Sequence, residues 1–154
     1  MIRKILSILL VIVWLTLIFG FSSDNGESST SLTEKVITGA VELFTPIEKN
    51  SEEMDKIIEV TFIPIRKCAH FFMYFTLGFL LMNCLYILGF KRNTIIMACS
   101  LAVLFAIGDG FHQTFVDGRV GSMVDVLLDS SASLLCSVIY HHFVIMRSYY
   151  AKKN

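Results

Sequence analysis

Charge is scarce in this sequence. Only 17% of its 154 residues are Asp, Glu, Lys or Arg, against about 25% in an ordinary soluble domain. The hydrophobic share is 55% and the mean hydropathy is +0.67. The apolar residues come in long blocks rather than in alternation, which excludes a solvated globular surface and makes the bilayer the natural solvent. A CxxC pair is also missing. Cys68, Cys84, Cys99 and Cys136 stand 16, 15 and 37 residues apart within apolar blocks. That spacing argues against a zinc or redox framework and leaves small apolar packing residues. No G-x-S-x-G elbow accompanies Ser130, Ser131 and Ser133 after Asp129, so they do not read as nucleophiles. No internal repeat is visible. Arg3 and Lys4 precede the first apolar block as they would in a signal peptide, but no A-x-A site follows. The block therefore reads as a retained anchor.

What is present is four apolar blocks, at residues 5–21, 69–90, 94–108 and 123–146. A hydrocarbon core of about 30 Å takes about 20 helical residues. The first and third blocks are short by that measure and require little tilt or help from flanking polar residues. The expected fold is an all-α integral membrane protein, a single domain over residues 1–154. Its spans fall at about 5–21, 69–90, 94–112 and 123–146, with an external amphipathic helical segment over 22–67.

Net charge is zero, but the distribution is lopsided. Between them, the two termini and the 91–93 turn hold Arg3, Lys4, Lys91, Arg92, Arg147, Lys152 and Lys153 and no acid. All thirteen acids fall on the other side of the blocks. Basic residues stay in the cytoplasm, so the expectation is a multi-pass cell-membrane protein with both termini cytoplasmic. Segments 22–67 and 109–129 then face outside.

The external segment has its own pattern. Residues 22–31 (SSDNGESSTS) read as a polar linker. Ser31 and Glu34 fit a capping box, and Leu32, Val36, Ala40, Leu43, Phe44 and Ile47 follow at helical spacing. Pro46 weakens that helix. Met54, Ile57, Ile58, Thr61 and Phe62 form a second stripe that is expected to stop near Pro64. Two amphipathic helices on the membrane surface or capping the bundle are the plain reading; a lid over a site is the sharper one.

The chemistry-bearing residues sit at the outer ends of the blocks. In RKCAHFFMY, Arg66, His70 and Tyr74 recur at four-residue steps on one helical face, and Lys67 neighbours His70. Asp109, His112 and Gln113 share a face if the third helix continues that far. The run Asp117, Gly118, Arg119 marks a turn, and Asp125 and Asp129 lie four apart in the fourth block. An ionisable group inside a span costs roughly 2.5–3.5 kcal/mol and persists only where it meets a partner or water. The charges of three helices at one depth are therefore expected to meet each other. More modest readings stand beside this one. Arg66 and Lys67 can snorkel as anchors, His70 and His112 can be hydrogen-bonded core residues, and Asp125 and Asp129 can be structural partners of Arg119 or Arg66. Asp109 and His112 have metal-ligand spacing, but two ligands on one helix are a weak signal, so no metal and no other cofactor is assigned. His141 and His142 lie near the inner end with no acid nearby and receive no role.

At this point the residues resemble a family. RKCAHFFMYFTLGF and DGFHQTFVDGRVGSMVDVLLD are similar to the two signatures of VanZ-like membrane proteins. FSSDNGESS after the first block is similar to that family's FSSQ-type segment. The resemblance implies a polar set of Arg66, Lys67, His70, Tyr74, Asp109, His112, Gln113, Arg119, Asp125 and Asp129. Two positions depart from the pattern: Met73 and Gly110 stand where the family carries glutamates.

Three functions follow as expectations. The first is a cell-envelope membrane protein that modulates susceptibility to the glycopeptide teicoplanin, as the resemblance implies. It would do so by holding an anionic lipid or cell-wall precursor at the outer leaflet with Arg66, Lys67 and Arg119, whose forked guanidinium suits phosphate oxygens. The second is a hydrolase-like membrane enzyme with His70 or His112 as base and Asp109 or Asp125 as its orienting partner. The third is a small oligomeric transporter using Asp125 and Asp129 as a protonatable pair. Membrane lipids are the expected partners in each, and nucleic acid in none.

Overall fold

The computed structural model describes residues 1–23, 26–45, 51–90, 93–117 and 121–153. Among these there are five helices and no strand: α1 (Ile2–Ser23), α2 (Gly26–Phe44), α3 (Glu52–Leu88), α4 (Thr94–Gln113) and α5 (Met123–Lys153). Four helices are long and apolar enough to cross a membrane, namely α1, α3, α4 and the Met123–Val144 part of α5. The chain is thus an all-helical membrane-embedded protein. Large apolar side chains such as Leu10, Val13, Leu104, Ile107, Leu135 and Ile139 lie on the outside of α1, α4 and α5, where hydrocarbon rather than water would cover them.

α3 is the central helix and touches the other four. Its start is built by Ser51, whose side chain accepts from the Met54 N–H at 3.2 Å, and by Glu52, Glu53 and Asp55 in the first turn, which complement the positive end of the helix dipole. It ends at Gly89, whose φ of 103° is a left-handed conformation open to glycine at little cost. The Gly89 and Phe90 N–H groups then close onto the Tyr86 and Leu85 carbonyls.

The structure corrects the expected helix boundaries. The second apolar stripe does not stop near Pro64, because α3 runs through Pro64 in one piece. A helix-interior proline costs about 3 kcal/mol. Met54 and Ile37, at 0% and 2% exposure, show that the N-terminal part of α3 is packed in where α2 meets it, and such packing outweighs the lost hydrogen bond. Residues 26–31 are helical rather than linker, so Ser31 lies inside α2 and caps nothing. Ser and Thr cost only a few tenths of a kcal/mol in a helix, while each added residue gains a backbone bond. Of the expected stripe, Leu43 and Phe44 face outward and Leu32 and Val36 are about half exposed, whereas Ile37 and Thr38 are buried. Pro46 and Ile47 lie outside the described residues. The cysteines divide: Cys84 and Cys136 are buried, Cys99 is half-buried and Cys68 is exposed. Cys68 is therefore not a packing residue.

The core lies between α3, α4 and α5. Tyr74, Leu77, Leu81, Met82 and Leu85 of α3 meet Ala98, Ala102 and Ala106 of α4 and Ala132 of α5. Small residues at four-residue steps let apolar helices approach closely, which matters where burial from water drives nothing. The mid-helix hydroxyls of Thr16, Thr76, Ser130 and Ser131 each donate to the carbonyl one turn back, as a medium without water requires.

Candidate functional site

Two polar faces meet where α3 crosses α5. On α3 they carry Arg66, Lys67, His70 and Tyr74; on α5 they carry Asp125, Asp129, Ser133 and Ser137, four apart throughout. Lys67 Nζ lies 3.2 Å from Asp125 Oδ1, an ion-pair contact whose angle is too poor for a hydrogen bond. One turn deeper, His70 Nδ1 faces Asp129 Oδ2 at 3.8 Å, within ion-pair range and beyond hydrogen-bond length. Deeper again is Tyr74, fully buried.

α4 contributes its last turns. Asp109 and Gln113 are 1% and 6% exposed, and the Gln113 amide donates to Asp109 Oδ2 at 3.1 Å. His112 points elsewhere. Its Nε2 is 2.9 Å from Ser23 Oγ of α1, and its ring meets Phe19 edge-on at 6.2 Å. Thus Lys67 and His70 meet Asp125 and Asp129 where α3 crosses α5, Asp109 and Gln113 pair with each other at the end of α4, and His112 holds α1 to α4. Arg119, the expected partner of Asp125, lies outside the described residues.

On the other side of α3 is a cavity of about 460 Å³ between α1, α2 and α3. Its walls are mostly apolar, with Trp14, Ile18, Phe21, Leu32, Val36, Phe72 and Met73. Arg66, His70 and Tyr74 form one wall at four-residue steps, and Ser22 of α1 joins them. His70 and Tyr74 therefore touch both the cavity and the acidic seam. Arg66 has no ion pair or hydrogen bond among the described residues.

Met73 and Gly110 are engaged by packing. Met73 lines the cavity, and its carbonyl accepts the Trp14 indole N–H at 2.9 Å. A Cβ on Gly110 would stand 3.0 Å from Val126 Cγ2, and the Gly110 carbonyl lies against Gly121. No group of three or more His, Cys, Asp and Glu is placed to hold a metal ion among the described residues.

Several polar residues were not singled out from sequence. Trp14 and Ser23 bind across helices, and Ser133 and Ser137 are fully buried. At the far end of the α3–α5 seam, Tyr140 donates to Asn83 at 3.2 Å, and the Tyr86 hydroxyl is 3.0 Å from His141 Nδ1. The four-residue series Asp125, Asp129, Ser133, Ser137, His141 is the signal that marks this stripe.

The VanZ/LLP1 family pattern matches residues 7–146, nearly the whole chain. No curated protein and no solved structure matches it.

Proposed function

The chain belongs to the VanZ/LLP1 family, and on that premise we propose that it binds an anionic membrane lipid or a lipid-linked cell-wall precursor at the outer leaflet, and through it modulates glycopeptide (teicoplanin) susceptibility. The observation that carries this reading is the cavity between α1, α2 and α3, apolar enough for an acyl chain, with the uncommitted Arg66 in its wall. Its volume falls within the range of about 300–1,000 Å³ typical of small-ligand sites. An arginine in an apolar wall is well suited to a phosphate, because its planar fork binds two oxygens at once. His70 adds a second donor one turn away.

The test is lipid binding by the purified protein in nanodiscs of phosphatidylglycerol against phosphatidylcholine, read by native mass spectrometry. Wild type should retain the anionic lipid preferentially. Arg66→Gln should weaken that retention about tenfold or more, the worth of a charged hydrogen bond, and Arg66→Lys should restore it only in part. Equal retention of both lipids, or an unchanged preference in Arg66→Gln, would reject the reading.

A second reading, membrane hydrolase, draws on His70, which faces the cavity on one side and Asp129 on the other. A carboxylate behind an imidazole orients a general base. In that case the orienting acid is Asp129, not Asp109 or Asp125.

A further inference from the structure

His70 stands between the cavity and an acid. Its side chain lines the cavity wall, with Arg66 and Tyr74 one turn away on either side. On its other side, Nδ1 faces Asp129 Oδ2 of α5 at 3.8 Å. Asp129 is 4% exposed, and His70 is the one basic side chain within ion-pair range of it among the described residues. The neighbouring helices bring other charged groups, and these are engaged elsewhere. Lys67 of α3 meets Asp125 of α5, and Asp109, the buried acid of α4, is held by Gln113. α1 and α2 bring Trp14, Ser22, Thr33 and apolar side chains to the cavity wall, and no titratable group among the described residues. Tyr74 is a phenol, a group that stays neutral near pH 7. Among the described residues, then, Arg66 is the fixed charge of the wall and His70 the one whose charge changes near neutrality.

The number of ring N–H groups makes that change matter. A neutral imidazole has one N–H and one bare nitrogen, whereas the protonated ring has two N–H groups. With a carboxylate beside Nδ1, the single N–H of the neutral ring belongs on that side. Nε2 is then an acceptor and has nothing to offer a phosphate oxygen. Protonation makes Nε2 a donor and adds a positive charge one turn from Arg66. In an empty cavity two like charges at this spacing on one helix oppose each other. An anion in the cavity removes that opposition. Anion and proton therefore favour each other's binding, and the coupling is reciprocal.

We infer that the cavity takes its anionic ligand together with a proton, which His70 holds beside Asp129, so that the ligand is bound more tightly as pH falls. The inference rests on the lipid-binding reading above and adds its regulation: Arg66 supplies the charge present at every pH, and His70 the charge present only in acid.

The test uses the single tryptophan of the chain, Trp14, which lines the cavity. The full chain in detergent is titrated with dioctanoyl phosphatidylglycerol, with dioctanoyl phosphatidylcholine as the control. Trp14 fluorescence is read at about pH 5.5 and about pH 8, the range over which histidine titrates. The phosphodiester keeps one negative charge throughout, so a change in affinity belongs to the protein. Wild type should bind phosphatidylglycerol about fivefold more tightly in acid, the difference that one charged hydrogen bond makes. His70→Gln should show the weaker, high-pH affinity at both values. Asp129→Asn should move the rise in affinity to lower pH, because the protonated ring loses its carboxylate; an unmoved rise overturns the role of Asp129. Calorimetry of the wild type in two buffers of different ionisation heat should show proton uptake on binding, and it decides the matter if His70→Gln does not fold. Equal affinity for phosphatidylglycerol at both pH values, or binding without proton uptake, overturns the proton coupling and leaves the lipid reading standing. A pH dependence that persists in His70→Gln assigns the proton to another group and also overturns it. No binding of phosphatidylglycerol at either pH overturns the lipid reading and this inference with it.

Discussion

Gly78 of α3 sits directly on Ser133 of α5: a Cβ at Gly78 would stand 2.7 Å from the Ser133 carbonyl oxygen and 3.0 Å from its Cα. The neighbour is backbone and cannot swing aside, so the helices must part to admit even a methyl group. This contact sets the spacing of the seam that carries His70, Tyr74 and Asp129.

Gly78→Ala therefore tests two opposed effects. Alanine favours the helix by about 1 kcal/mol. Overpacking costs about 1–3 kcal/mol, and the crowding here is against main chain. The expected net result is a lower Tm in detergent and less folded protein in the membrane, with Gly78→Val worse. A Tm equal to or above wild type would show that α3 and α5 separate freely.

Gly110 offers a second packing test. A glutamate there brings a Cβ to 3.0 Å from Val126 Cγ2, so Gly110→Glu should destabilise by about 1–3 kcal/mol. Val126→Ala removes the obstructing methyl groups and should recover part of that loss in the double variant. Strict additivity of the two changes in thermal unfolding would rule out the contact as the cause, since touching residues couple.

The orientation is tested by reporters. With the basic residues of both termini inside, alkaline phosphatase fused after Asn154 should be inactive, and the same enzyme inserted near Gly26 should be active outside. The reverse pattern would place the seam and the cavity at the inner leaflet, and the lipid sought in the nanodisc experiment would change accordingly.

Much of the fold was legible because its determinants are one-dimensional. The length of an apolar run is compared directly with the thickness of the bilayer, and the match of charge to segment ends is a count. From these the four spans follow. The periodicity of Arg66, His70 and Tyr74 likewise places them on one face, and one cavity does receive all three.

Which groups meet is another matter, since it depends on how each helix is rotated about its axis and which helix is its neighbour. Local spacing is silent on both. Asp109 and His112 share a helical arc, yet one turns inward to Gln113 and the other crosses to Ser23 on α1. Asp125 meets Lys67 and Asp129 meets His70 because α3 and α5 are packed in that register, with Gly78 on Ser133 as the fitting contact. Tertiary packing also carried α3 through Pro64 and buried Ile37 and Thr38 of α2 in place of the expected stripe. The sequence by itself determined the solvent and the number of spans, because hydrophobic length is a property of the chain read in order. Only the tertiary structure decided the pairs and the cavity, because each is made by side chains far apart in sequence whose meeting depends on helix rotation and close packing.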